Sequence, residues 1–181
     1  DQLIVGRHVS PEISPELIGR KAVARCFSDI AAMGATPVGS LMTACLPPKE
    51  TNSWCNEVFL GAKVAAEQWG GPIFGGDIAS SEGVPIFTVT AIASPGSRTI
   101  LRTGAHKGDF ICVTGKLGNS IAGHHLSFTP RIKEAHELVQ FLGDSLHSMI
   151  DISDGLGQDA SHLSSDDLQL VIDPKLLPLR N

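Results

Sequence analysis

Residues 13–37 read ISPELIGRKAVARCFSDIAAMGATP, and their punctuation decides what stands at the centre of the fold. Ser14 occupies the place of a helix N-cap, Pro15 the first helical position, Gly34 the end and Pro37 lies beyond it, so the segment predicts one long helix. Positions three and four apart share a helix face. That puts Asp29 in a stripe with Ala22, Cys26 and Met33, which predicts a core-facing position. An ionised carboxylate there costs several kcal/mol of desolvation unless a cation or a metal compensates it. The plain partner is Arg25, one turn earlier, in a pair worth about 0.3 to 0.5 kcal/mol when exposed.

Outward from this helix, DQLIVG at the start reads as a strand, VGSLMTACL (38–46) as another, and KETNSWCNEVFLGAKVAAEQWG (49–70) as a second helix with Val58, Ala62, Ala65, Ala66 and Trp69 at helical spacing. PIFGGD (72–77) predicts a short buried strand running into a glycine turn, and VPIFTVTAIA (84–93) a β-branched strand. Turn formers and bases then dominate. Residues 94–108 read as a linker between a domain of residues 1–93 and one of 109–181. In the second part DFICVTG, MIDIS and LQLVIDP predict strands, GNSIAGHH a short helical piece, and TPRIKEAHELVQFLGDS a helix. An α+β or α/β fold follows.

Composition narrows the function classes. The chain has 181 residues, 42% hydrophobic and 18% charged, with a net charge of −5, which suits a globular protein and excludes a disordered one. No basic patch points to nucleic acid, and no apolar run or basic amphipathic helix points to a membrane. Cys26, Cys45, Cys55 and Cys112 form no CxxC pair and fit reduced thiols in a cytoplasmic protein. The chain opens directly into a strand and stops after LPLRN, so residues are expected on both sides.

Four acidic spots share one grammar. Asp1 flanks a strand, Asp29 interrupts an apolar helix face, Asp77 follows Gly75-Gly76, and Asp151 and Asp154 bracket a strand-to-helix turn. Singly, such residues serve as turn formers or helix-dipole partners. Together they predict a magnesium site for a polyphosphate, since Mg²⁺ takes a few carboxylates along with phosphate oxygens and water. Glycines beside Asp77 and Asp154 let backbone N–H groups approach a phosphate, a helix starting near Ser153 offers its positive end, and Arg102 and Lys107 add charge. His124-His125 has no neighbouring Cys or carboxylate in sequence and reads as surface, as do His106, His136, His147 and His162.

The strings FSDIAAMGA, GGD and IDISDGL, in this order, resemble the thiamine-monophosphate kinase family. That family sits in a superfamily with aminoimidazole ribonucleotide synthetase, selenophosphate synthetase and the hydrogenase maturation factor HypE. DQLIVGRH and LRTGAHKGDFICVTGKLG are similar to that family's opening and inter-domain segments. The resemblance implies a two-domain aminoimidazole ribonucleotide synthetase-like fold, with an N-terminal sheet carrying helices on one face and a C-terminal α/β domain. It implies a homodimer that transfers a phosphoryl group from ATP to thiamine monophosphate with several Mg²⁺ ions. By the same resemblance Asp1, Asp29, Asp77, Asp151 and Asp154 hold metal, with Asp29, Asp77 and Asp154 as the catalytic acids. Gly76, Asp77, Arg102 and Ser153 meet ATP, and His8 meets the substrate.

Departures from the family pattern mark where this expectation is open. Ile78-Ala79 stands where threonines are usual after GGD, and Cys26 where Asn is common. An upstream Gly-Asp-Asp and a downstream Gly-Gly-Glu-Asp segment are absent from the sequence. GNSIAG also reaches HHLSF with less spacer than the family has, which predicts a missing segment near Gly123 to His125. The competing readings are a related ATP-dependent synthetase, aminoimidazole ribonucleotide synthetase-like or HypE-like, and a non-catalytic paralogue serving as a dimerisation module.

Overall fold

The computed structural model describes residues 1–180. The first 94 residues supply β1 (Gln2–Ile4), α1 (Pro15–Ala32), β2 (Thr36–Leu46), α2 (Asn52–Gln68), β3 (Ile73–Ser80) and β4 (Ile86–Ser94). Pro15 sits in the first turn of α1, and Gly34, at φ +65°, takes the left-handed position just past its end. In α2 the Thr51 side chain accepts from the Trp54 N–H and caps the helix, satisfying one of the donors that a helix start leaves without a partner.

The four strands form one sheet in the order β1-β4-β2-β3. β4 lies antiparallel between β1 and β2, whereas β2 and β3 run parallel, the geometry that a helical crossover such as α2 permits. Leu3, Met42, Ala44, Leu46, Phe87 and Val89 form one core with Ile18, Val23, Phe27 and Val58 of the helices. Both helices cover the same side of the sheet. Their approach is set by two glycines, because a Cβ on Gly19 would stand 1.9 Å from the Val58 carbonyl oxygen and one on Gly61 2.1 Å from that of Glu16.

β3 corrects one expectation. It is an edge strand with most of its residues exposed, not a buried one, because α2 leaves the outer edge of the sheet uncovered.

After Ser94 the chain forms no further strand among the described residues. Ser120–His124 makes a single π turn, followed directly by α3 (His125–Ser127), then α4 (Ile132–Leu142) and α5 (Leu156–Ser161). Within 120–127 the two helical turns meet at a kink, because Gly123, at φ +117°, lies outside the helical region. The strands predicted at DFICVTG, MIDIS and LQLVIDP are also not formed. A strand needs a neighbouring edge to bond its N–H and C=O groups. Of these segments only the last touches a bridge, Leu168 with Ser165, and the other bridge nearby, Leu117 with Leu179, lies outside all three; Phe110 and Val171 lie 95% and 86% exposed.

What holds this region to the sheet domain is α1. Arg20 donates to the carbonyls of Leu126 (2.8 Å), Ser127 (3.1 Å) and Phe128 (2.6 Å), closing the end of α3, while its guanidinium lies 5.1 Å from the Trp69 ring centre. Buried Ile100 donates its N–H to the Met33 carbonyl and Met149 donates to that of Leu101, so residues 147–151 run beside the end of α1.

Candidate active site

The junction between the end of α1 and residues 151–159 gathers most of the acids singled out in the sequence. Ser28 donates its hydroxyl to Asp151 Oδ2 at 2.8 Å, and Asp29 follows on the same helix turn. The Asp29 carboxyl is pushed up, first by burial and then by the charge of Asp151. Asp151 is pushed up in turn, chiefly by burial, with Asp159 and Asp154 adding repulsion against the Ser28 bond. These are carboxylates assembled with too little counter-charge. Oxygen-only, mutually repelling donors of this kind fit a hard divalent cation, and Asp29, Asp151 and Asp154 would hold it.

Asp29 itself does not lie in the core. Ala22 and Cys26 are buried as the stripe requires, but Ile30 takes the next inward place, leaving Met33 42% exposed and Asp29 at the rim, open to solvent on one side and partly desolvated by its neighbours on the other. Nor does Arg25 pair with it. The guanidinium grips Asp1 instead, at 3.0 and 3.2 Å from its two carboxylate oxygens, so Asp1 faces this junction already neutralised.

The remaining predicted residues are dispersed. Asp77 pairs in register with Thr43, and with Gln2 and Thr88 it lines a shallow depression on the side of the sheet away from the helices. No hydrogen bond or ion pair joins it to the other acids among the described residues. A Cβ on Gly76 would come within 1.7 Å of the Met42 carbonyl oxygen, so strand contact alone requires glycine there. Arg102 and Lys107 are exposed in the segment after β4, and the Ser153 N–H is bonded to Asp159.

Residues 1–94 match the family model described as AIR synthase related protein, N-terminal domain. The chain belongs to that family. Among the proteins to which this AIR synthase related chain is similar is the thiamine-monophosphate kinase of Rhodopirellula baltica, 39% identical over 164 residues, which are 90% of this chain and 51% of the relative. The thiamine-monophosphate kinase of Aquifex aeolicus is 31% identical over 204 residues, spanning all of this chain and 64% of the relative. A solved structure, AaThiL complexed with AMPPCP and TMP, superposes with a TM-score of 0.77 at 31% identity, over 91% of this chain and 58% of that one. The chain thus spans roughly half to two thirds of the length of these relatives.

Two residues of this AIR synthase related chain that its sequence did not single out, Asp159 and Lys21, and one that was read as surface, His125, support the predicted acids and His8. Asp159, 4% exposed, accepts the N–H groups of Ser153, Asp154 and Gly155 at 2.9, 2.9 and 3.0 Å. It fixes the SDG loop and so aims Asp151 and Asp154. Its signal was its place in SDGLGQD, one helical turn after Gly155, where a carboxylate folds back over the helix start. Lys21, 7% exposed, donates to the His8 carbonyl and to His125 Nδ1, and burial, with the charge of Arg25 adding to it, brings its pKa to about 8. His125, read as surface, is that lysine's acceptor.

His8 accepts the Ile4 N–H on Nδ1 at 3.0 Å, and burial, followed by the charges of Arg25, Arg7 and Lys21, pushes its pKa down. The ring is therefore neutral near pH 7 with its proton on Nε2, a hydrogen-bond donor that adds no full charge.

Proposed function

We propose that the protein to which this chain belongs is a magnesium-dependent thiamine-monophosphate kinase, which transfers the γ-phosphoryl group of ATP to the phosphate of thiamine monophosphate, giving thiamine diphosphate and ADP. The observation that carries this reading is the likeness, over 91% of the chain, to a structure complexed with AMPPCP and TMP. The acid junction of Asp29, Asp151 and Asp154 supplies the chemistry such a pair of ligands needs.

Donor and acceptor are both anions, so the reaction depends on positioning and charge neutralisation rather than on a strong base. Magnesium, when bound, would neutralise the phosphates. In this reading Asp29, Asp151 and Asp154 hold the ion, Ser28 fixes Asp151, and the three N–H bonds to Asp159 hold the loop rigid. Asp1 and Asp77 are proposed as further ligands, and Gly76, Arg102 and Ser153 as ATP contacts. His8 donates from Nε2 to the acceptor phosphate. The proposed organisation is a nucleotide-binding domain of residues 1–93, a linker of 94–108 and a second domain of 109–181.

A homodimer and a cytoplasmic location belong to the same proposal. Supporting them are an uncovered sheet face bearing Leu41, Phe74 and Ile92 and four free cysteines. No helix among the described residues is long and apolar enough to cross a membrane. The test is a coupled ADP-release assay on the purified full-length protein. Thiamine monophosphate should be consumed with ATP and Mg²⁺, and free thiamine should not. Equal turnover of free thiamine would point to another kinase, and no turnover of either, with ATP binding intact, to a non-catalytic paralogue.

A further inference from the structure

We propose a second metal site in this chain, formed by His106, Asp109 and His147, that takes a zinc-class divalent ion and clamps the segment after β4 to the approach of the SDG loop. One donor atom from each residue lies within 4.8 Å of the others. Two of the three are placed by their own turn, since the His106 N–H donates to Asp109 Oδ2 at 2.7 Å and the Asp109 N–H donates to the His106 carbonyl at 3.1 Å. The third comes from 38 residues further on. His147 Nδ1 lies 3.0 and 2.9 Å from the two Asp109 oxygens, and its ring stands edge-on to that of His106 with centres 4.3 Å apart.

The backbone is shaped for this approach. Gly104 takes φ +127°, and a Cβ there would meet the His147 carbonyl oxygen at 2.8 Å. The Met149 N–H bond to the Leu101 carbonyl fixes the two segments side by side. Ligands at about 2.1 Å from a tetrahedral ion stand about 3.4 Å apart. The present separations, from 2.9 Å between His147 and Asp109 to at most 4.8 Å, bracket that spacing.

Two imidazoles and one carboxylate favour zinc, cobalt or nickel, whereas magnesium prefers oxygen alone. The junction at Asp29 and Asp151 offers only oxygen. The chain therefore carries two sites of opposite metal preference, and the imidazole site is held four residues before Asp151. His106 and Asp109 are exposed, which leaves the fourth coordination position to water.

The test is a Co²⁺ titration of the chelator-stripped full-length protein, followed by visible absorption, with Mg²⁺ in excess to occupy the oxygen site. One Co²⁺ per chain should bind with the spectrum of nitrogen ligation and be displaced by Zn²⁺. His106→Gln and His147→Gln should each weaken that binding at least about tenfold, and Asp29→Asn should retain it. Zn²⁺ should also raise the melting temperature of the wild type and not of His147→Gln. Absence of binding, binding unchanged in both histidine variants, or binding lost in Asp29→Asn would overturn the site and leave His147 and Asp109 as an ion pair only.

Discussion

At the scale of single residues, the most informative position is Asp29, whose charge was visible in the sequence and whose surroundings were not. Helical spacing placed it on a buried stripe, but α1 ends over the sheet with Ile30 inward and Asp29 turned to the junction with Asp151. The acid was legible because it breaks an apolar pattern; its neighbour lies 122 residues away and leaves no local trace. Unit charges about 4 Å apart interact by roughly 4 kcal/mol at an effective dielectric of 20. Asp29→Asn should therefore melt at or above the wild-type temperature without ligand, yet gain much less from Mg²⁺ and ATP, because a ligand stabilises in proportion to how tightly it binds. Thermal melts of both proteins with and without Mg-ATP check this.

Lys21 yields a second residue-scale expectation. Its folded pKa, about 8, lies below the ordinary 10.5, so between those values the unfolded chain holds more protons. Stability then rises with pH through that window, and below about pH 8 the buried charge opposes folding. Lys21→Met should flatten the slope. Urea midpoints of the two proteins, taken across the interval, measure the difference directly.

At the scale of elements, the two long helices and the four strands of the sheet were legible because caps and periodicity are local, and only the burial of β3 was not. Glycines show the boundary of that legibility. Gly19 in α1 and Gly157 in α5 look alike in sequence, yet a Cβ on Gly19 meets the Val58 carbonyl oxygen at 1.9 Å and one on Gly157 meets nothing within 4 Å. Gly19→Ala should drive α1 from α2 and cost about 1 to 3 kcal/mol, as overpacking does. Gly157→Ala should instead stabilise by a few tenths of a kcal/mol through helix propensity. Denaturant unfolding of the two variants separates packing from propensity. The three strands expected after residue 108 failed for the converse reason. Their β-branched composition is local, but the edge a strand pairs with is not, and the described chain offers them none.

At the scale of the whole molecule, the sheet has one face under α1 and α2 and one open. The open face is graded. Leu41, in register with Gly75 and Thr90, lies beside Ile92 and the Phe74 ring that covers Gly39, whereas Gln2, Thr43, Thr88 and Asp77 make the other end polar. Contiguous apolar surface on a sheet marks a partner, and a second copy meeting the same face forms a self-complementary contact about a two-fold axis. The apolar end would bury itself, and the polar end would bring each Asp77 to the rim of the contact. Leu41→Lys places a charge in the centre of that apolar end and, opposite its own symmetry mate, a like charge. If the proposed homodimer uses this face, the full-length variant should be a monomer in light scattering where the wild type is a dimer, with little loss of monomer stability because Leu41 makes no part of the buried core. A variant that keeps the dimer mass would move the contact elsewhere on the molecule. A wild type that is monomeric at micromolar concentration would remove the dimer, while Asp29, Asp151 and Asp154, all on the helical side, would keep the roles proposed for them.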